Sequence, residues 1–250
     1  MRDSGPSTSS ERLLDSECLP ALLVYAEPGS DMSPQEFDTW FAQEPLAGED
    51  ARTLRYRAID GQKPTWLAIC ESASISPESL GAGAPPSAAP PGLSMHTRTA
   101  YTPRGCRTHA RCAPADIPAP ILYTLRVTLA PEVDSAFEAW YSGSHTDGFA
   151  RVPGWRRMRR YVLHAHSDVA APRDAVERRN TVDRQEGSGD GGESPSRPYR
   201  HLAVHEWSHA AFADMPEYAA LVDTLDGVTL KKSLRAFEMR VFELYPPRTS

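Results

Sequence analysis

Two histidines in the C-terminal half of the chain, His145 and His205, have the side chains best suited to proton transfer. Imidazole exchanges a proton near neutral pH, and an apolar cavity would shift its pKa and strengthen its contacts. This chemistry suits enolisable or phenolic carbon skeletons. We therefore take His145 and His205 as the candidate catalytic residues. The alternative for a histidine on a strand is a structural role in the core.

Aromatic and basic residues close to these histidines form a predicted substrate pocket. Aromatic rings provide apolar walls with polar handles, and an arginine can bind a substrate carboxylate. The alternatives are that the helix aromatics form the core and that the arginines of 156–160 form a solvated strand face. The predicted pocket residues are Trp140, Tyr141, Arg160, Tyr161, His201 and Trp207.

Residues 205–209 read His-Glu-Trp-Ser-His, which formally matches a zinc-protease motif. That motif holds zinc only on a helix, where residues four apart can reach one metal. Here the preceding residues alternate as in a strand, in which four residues span ~13 Å.

Other metal and cofactor motifs are incomplete or absent from the sequence. Cys106, His109 and Cys112 lack a fourth ligand, and the sequence contains no nucleotide-binding glycine loop and no G-x-S-x-G motif. We therefore expect neither a metal nor a cofactor.

Residues 201–207 are expected to form a strand whose side chains alternate between two faces. We expect the face that carries both strand histidines to line the cleft, and the residues between them to face the other way. The predicted cleft face carries His201, Ala203, His205 and Trp207.

Two stretches of the chain repeat each other, with an offset that grows only where loops lengthen. The matching pairs are Phe37–Phe41 with Phe137–Tyr141, Arg52–Tyr56 with Arg157–Tyr161, and Leu67–Glu71 with Leu202–Glu206. Each copy is typical of strand, helix, strand, strand, helix, strand, which is the ferredoxin-like α+β fold with helices on one sheet face. We therefore predict two ferredoxin-like repeats that pack as a pseudo-dimeric α/β barrel.

Composition predicts the domain boundaries, because segments poor in apolar residues cannot bury enough surface to offset the entropy lost on ordering. The predicted segments are a disordered arm at 1–18, a first repeat at 19–78 with a last strand at 98–102, a Pro/Ala-rich linker at 79–118, and a second repeat at 119–246 with a flexible insertion at 172–198.

Charge and hydropathy exclude several classes of partner. The 250 residues include 27 Lys and Arg against 33 Asp and Glu, for a net charge of −6, which argues against a general nucleic-acid binder. The longest apolar run, 21–26, is far shorter than the ~20 residues of a membrane span, and residues 1–19 do not resemble a secretory signal. We expect a cytoplasmic protein, a monomer or weak homodimer, that binds a small molecule and neither nucleic acid nor membrane.

An ordered series of short motifs resembles the EthD-like branch of the dimeric α/β-barrel superfamily. The resemblance covers most of 120–246 and, more weakly, 20–72. It implies an enzyme that acts on aromatic or polyketide-like small molecules without a bound organic cofactor. The motifs are Trp140–His145, Val152–Trp155, Arg159–Tyr161, His205–Trp207, Pro216–Tyr218 and Arg240–Tyr245.

The family pattern W-Y-x-x-E-H supplies a pocket histidine, and it maps onto Trp140, Tyr141 and His145 with Ser144 in place of the acid. The first repeat keeps an acid but has Pro45 at the histidine position. The resemblance therefore implies that any chemistry belongs to the second repeat.

Three functions are consistent with these observations. The first is decarboxylation, cyclisation or dehydration of an aromatic or polyketide-like compound, with His145 as the acid/base group assisted by His205. The alternatives are a cofactor-free oxidoreductase or monooxygenase of the same fold, and a noncatalytic small-molecule binding module. Catalysis predicts that both histidines face one shared cavity.

Overall fold

The computed structural model describes residues 13–15, 17–43, 51–75, 92–168, 199–223 and 233–245. The strands are β1 (Leu13–Asp15), β2 (Ala21–Pro28), β3 (Arg52–Ala58), β4 (Trp66–Glu71), β5 (Leu93–His109), β6 (Ile121–Leu129), β7 (Trp155–Asp168), β8 (His201–Trp207) and β9 (Leu234–Tyr245). The helices are α1 (Pro34–Gln43), α2 (Asp134–Trp140), α3 (Thr146–Phe149) and α4 (Pro216–Asp223), with a π-helical turn at Tyr141–His145 between α2 and α3. No helix in these ranges is long and apolar enough to span a membrane.

Eight strands form a closed antiparallel barrel. Their order is β5-β2-β4-β3-β9-β6-β8-β7, and β5 pairs again with β7 to close the ring. The first four strands come from the first repeat and the last four from the second, in the same relative order. The fold is therefore α+β, with two ferredoxin-like repeats packed as a pseudo-dimeric α/β barrel, and the prediction from the internal repeat is confirmed.

The barrel interior is an apolar layer shared by both repeats. It takes buried side chains from each of the eight strands, for example Tyr25 from β2, Leu122 from β6 and Phe242 from β9. A separate core lies between each half of the sheet and its helices. The molecule therefore has three layers of buried side chains, and a strand residue faces either the barrel interior or a helix.

Helix α1 shows how local sequence sets an element. The Ser33 hydroxyl accepts a hydrogen bond from the Glu36 N–H, and the Glu36 carboxylate accepts one from the Ser33 N–H, which is a capping box. Phe37 and Phe41, one turn apart, are buried against the sheet. In the second repeat Phe137 of α2 and the following Tyr141 are buried in the same way.

Two predicted boundaries differ from the structure. The predicted linker 79–118 contains β5, which extends well beyond the expected strand at 98–102. A strand forms despite the proline content because β5 has partners on both sides, β2 and β7, and a register shift accommodates Pro103 to Gly105. The predicted arm 1–18 contains β1, which pairs with β5. The predicted insertion 172–198 lies outside the described residues.

Candidate active site

The π-helical turn directs the candidate site residues. The Thr146 hydroxyl donates to the Tyr141 carbonyl oxygen within this turn, and Gly143 has non-helical φ and ψ of −101° and −112°. Such turns are frequent at functional sites. The turn places the Tyr141 ring against β8 and the His145 ring beside α4.

His145 is a nearly buried imidazole held only by ring contacts. Its side chain is 7% exposed. It stacks on Trp140 with ring centroids 3.9 Å apart, and the rings of Tyr141 and Phe149 meet it edge-on at 4.8 Å each. In the described part of the chain, its ring nitrogens form no hydrogen bond. The nitrogens are therefore available to a ligand.

Burial lowers the pKa of His145 to about 3, and the nearby charge of Arg160 acts in the same direction. The ring is therefore neutral at physiological pH. A neutral imidazole can accept a proton or a hydrogen bond, but it cannot act as a general acid. Of the two acid/base roles expected from the sequence, only proton acceptance is open to the neutral ring, and the low pKa makes it a weak base unless a bound anion raises that pKa.

His145 lines an open pocket of about 580 Å³ between the π-helical turn, α3 and α4. This volume is within the range of small-molecule sites, roughly 300–1,000 Å³. Gly148 lies where α3 approaches α4, and a Cβ at this position would lie 2.4 Å from Cδ1 of Leu221. The lining residues are Trp140, Ser144, His145, Asp147, Gly148, Arg151, Glu217, Ala220 and Leu221.

His205 is completely buried and has hydrogen bonds on both ring nitrogens. Trp155 Nε1 donates to Nδ1 at 3.2 Å, and Nε2 lies 2.8 Å from the Tyr141 hydroxyl. Because the indole N–H can only donate, Nδ1 of a neutral ring must accept, so the proton is on Nε2 and points at Tyr141. Burial lowers the pKa of His205 well below its usual value, and electrostatic interactions with His145 and Arg160 act in the same direction. The His205 ring is therefore neutral, and its hydrogen bond orients the Tyr141 side chain.

Within the described residues, the two candidate histidines do not line the same pocket, so the arrangement expected for catalysis by the pair is not observed. The Phe149 ring contacts both of them, with centroids 4.1 Å from His205 and 4.8 Å from His145. His145 lines the pocket, whereas His205 does not. Of the two histidines, only His145 is a pocket residue. Strand β8 places His205 beneath the helices, where it is buried.

We expect the His205 ring to be a neutral Nε2–H tautomer between pH 5 and 8, because protonation of Nδ1 would oppose the Trp155 N–H. Long-range ¹H–¹⁵N NMR correlations of histidine-labelled protein measure this directly. A Trp155→Phe variant removes the donor and is the control, since its Nδ1 becomes free to titrate. A doubly protonated His205 at pH 6 in the unsubstituted protein would contradict the assignment.

Arg160 and His201 lie beneath α2, where acidic residues of that helix bind them. Arg160 Nη2 donates to the Glu138 carboxylate at 2.7 Å, and its guanidinium lies 4.5 Å from the Tyr141 ring centroid. The nitrogens of His201 lie 3.2 Å from carboxylate oxygens of Asp134 and Glu138. Both predicted pocket residues thus fasten α2 to the sheet and do not line the open pocket.

Tyr161 and Trp207 also lie elsewhere than predicted. Tyr161 faces the barrel interior and donates to the Glu71 carboxylate at 2.7 Å. The reason is alternation along β7, because Arg160 faces the helices and its neighbour must face the opposite way. Trp207 is buried in the helix-facing core, where it stacks on Phe212 at 4.2 Å.

The segment 201–207 is strand β8, as predicted, and its side chains alternate between two layers. His205 points toward the helices, whereas Glu206 points into the barrel and binds Arg157 and Arg159. The first histidine of the motif therefore lies on a strand and not on the helix that a zinc site of this type requires. Among the described ranges, no group of three or more His, Cys, Asp and Glu side chains is placed to hold a metal.

The first repeat lacks the tyrosine and the histidine at two matching positions. Phe41 and Cys70 occupy the positions that correspond to Tyr141 and His205. Arg55, which matches Arg160, donates to the Phe41 carbonyl oxygen at 2.8 Å. The scaffold is thus retained in both repeats, but the described chemical groups belong to the second. Pro45 lies outside the described residues.

Several site residues escaped sequence analysis. Trp155 belongs to the Val152–Trp155 motif, and Gly154, with φ of 87°, forms the turn that brings the indole to His205. Phe149, which lies between the two histidines, has no motif around it that would have marked it as a site residue. The α4 residues of the pocket also have none, because they meet His145 only through tertiary packing.

Restoring the acid of the W-Y-x-x-E-H pattern should change the charge state of His145. Ser144 lines the same pocket as His145. A Ser144→Glu variant would place a carboxylate nearby, which favours the protonated imidazole, so we expect the pKa of His145 to rise above about 3. NMR titration measures the change, and Ser144→Gln is the uncharged control. Equal pKa values in the two variants would contradict this electrostatic account.

No protein-family model matches the sequence, and no curated protein is similar to it. Among solved structures, an anthrone oxidase-like protein superposes with a TM-score of 0.54 at 10% identity, over 94% of this chain and 95% of that chain. A mutant chlorite dismutase from Candidatus Nitrospira defluvii gives 0.49 at 9% identity, over 92% of each chain. A monooxygenase-like protein from Listeria innocua gives 0.44 at 12%, over 93% and 96%.

At these identities the likeness concerns the fold and leaves the chemistry open. The superposition on the anthrone oxidase-like protein extends over nearly the full length of both chains. The neighbours are ferredoxin-fold, dimeric α/β-barrel proteins, and this chain has their fold.

Proposed function

We propose that this protein oxidises an enolisable aromatic compound with molecular oxygen, and that His145 is the base that removes the substrate proton. The observation that carries the proposal is a neutral imidazole without a hydrogen-bond partner in the described structure, in the wall of an open pocket. The stack with Trp140 holds the ring in place, so a proton acceptor is already oriented before the substrate binds.

The reaction begins with proton transfer. A methylene group conjugated to a carbonyl loses a proton to His145 and becomes an enolate, which is electron-rich enough to reduce O2. In the overall reaction R2CH2 and O2 give R2C=O and H2O. Two C–H bonds break, one oxygen atom remains in the new carbonyl and the other leaves as water. O2 is the oxidant, and the substrate carbon is oxidised.

Anthrones are the substrate class we infer, because they carry such a methylene group between aromatic rings. Trp140 and the apolar side chain of Leu221 line the pocket and provide apolar walls for a ring system. The fold neighbour described as anthrone oxidase-like is consistent with this choice. The low pKa of His145 disfavours dehydration, since that reaction requires a general acid to protonate the leaving hydroxyl.

The experiment supplies 1,8-dihydroxyanthrone in air-saturated buffer and follows O2 uptake and quinone absorbance together. We expect a rate proportional to protein concentration above spontaneous oxidation, with equal amounts of O2 consumed and quinone formed. Binding without acceleration would overturn the proposal in favour of a binding module. Release of CO2 from an anthrone carboxylic acid without O2 uptake would overturn it in favour of decarboxylation.

A further inference from the structure

Proton removal by a neutral base leaves a negative charge on the substrate oxygen, which the pocket carboxylates of Asp147 and Glu217 do not stabilise. A guanidinium group offers charged N–H donors of suitable geometry for such an oxyanion. Three arginines approach the pocket region, namely Arg107 of β5 in the first repeat and Arg151 and Arg160 of the second repeat. Their existing partners decide which is available.

Two of these arginines are already engaged by carboxylates. Arg160 binds Glu138 beneath α2 at 2.7 Å. Arg107 pairs with Asp147 at 3.4 Å, which also neutralises the acid on the pocket rim. Neither guanidinium lines the pocket. Their charges are therefore committed before a substrate enters.

Arg151 lines the same pocket as His145 and is exposed to it from the end of α3. Within the ranges that the structure describes, it has no ion pair or hydrogen bond to a carboxylate. Glu217, at the start of α4, is the remaining acid of the lining, and its charge opposes an anionic ligand. The pocket thus combines one proton acceptor with one uncommitted cation.

We infer that Arg151 binds the oxyanion of the substrate, a phenolate or an enolate, while His145 takes the proton. This assignment rests on the proposed function, because it names the group that holds the product of the first proton transfer. It also defines the ligand class as aromatic compounds with an ionisable hydroxyl or an enolisable carbonyl. Arg151 would then favour the ionised form over the neutral one.

The test measures binding without turnover, using 4-nitrophenol, whose phenolate and phenol forms have different absorption spectra. We expect the unsubstituted protein to bind the phenolate about tenfold more tightly than the phenol, the value of one charge-assisted hydrogen bond. Arg151→Gln should abolish this preference and Arg151→Lys should retain part of it. Glu217→Gln, which removes the opposing charge, should increase it.

An unchanged preference in Arg151→Gln would overturn the inference, and so would failure of the unsubstituted protein to bind the probe. Because nothing is oxidised in this assay, its outcome is independent of the oxygen measurement. Anthrone oxidation with equal binding of phenol and phenolate would leave the proposed function standing and remove Arg151 from it. Circular dichroism of the three variants verifies that each is folded.

Discussion

Replacing His145 with Ala should slow the oxidation of 1,8-dihydroxyanthrone by at least ~100-fold in kcat, which is the lower range of general base contributions. The variant keeps Trp140 and Leu221 as pocket walls, so KM should change much less than kcat. It should also remain folded, because no hydrogen bond of the described structure depends on this ring. Steady-state O2 uptake and circular dichroism measure both effects.

The matched control is His164→Ala on β7, a histidine that is exposed and does not line the pocket. We expect its kcat to equal that of the unsubstituted protein. Equal kcat values for the His145 and His164 variants would contradict the role of His145 as the base. A joint decrease in both would point to general damage and also count against the assignment.

Glu206→Gln should destabilise the fold by about 3 kcal/mol, the lower range for breaking a buried ion pair. Glu206 is 0% exposed and accepts hydrogen bonds from Arg157 at 3.0 Å and from the Ala119 N–H at 2.9 Å. Its carboxylate also pairs at 3.0 Å with Arg159, which binds Glu71 of the first repeat. Neutralising it leaves the buried Arg159 charge undercompensated where the repeats meet inside the barrel.

Urea unfolding measures the free energy of unfolding, with Glu243→Gln as the control. Glu243 pairs with Arg57 at 2.9 Å, but both side chains are largely exposed, so its loss should cost less than ~1 kcal/mol. Similar losses for the two variants would contradict the importance of the internal pair.

The buried ion pair between Glu206 and Arg159 also predicts that the stability of the fold depends on pH. Desolvation raises the pKa of Glu206, but the charges of Arg159 and Arg157 and the hydrogen bonds outweigh it, so the pKa is lowered from 4.5. The folded protein then binds the proton less readily than the unfolded chain. The stabilisation is therefore complete above the unfolded pKa and is lost as pH falls through the lower folded value. As the pH falls below about 4.5, the free energy of unfolding should therefore decrease less in Glu206→Gln than in the unsubstituted protein.

The architecture could be predicted from the sequence because two segments of the chain repeat each other. Matching segments such as Leu67–Glu71 and Leu202–Glu206 became β4 and β8, at equivalent places in the barrel. Strand β5 was missed because Pro103 and Gly105 made its composition resemble a linker. What stabilises β5 is pairing on both edges with β2 and β7, and such long-range pairing leaves no local pattern.

The candidate site could be predicted only in part. His145 and Trp140 form the predicted wall, since a helix places them close together. Alternation placed Arg160 and Tyr161 on opposite sides of β7, so they could not share a pocket. The partners that bury His205 and His201, namely Trp155 and Asp134, come from distant segments. Spacing indicates the face of a strand but does not reveal which side chains pack against it.

Removal of the substrate proton by His145 is the central claim, and hydrogen exchange tests it without oxygen. 1,8-Dihydroxyanthrone is incubated with the protein in D2O under anaerobic conditions, and NMR follows deuterium entry at the methylene carbon. We predict that the unsubstituted protein accelerates the exchange and that His145→Ala reduces the acceleration by at least ~100-fold. Exchange at the same rate in both proteins, or no acceleration by the unsubstituted protein, would contradict the claim.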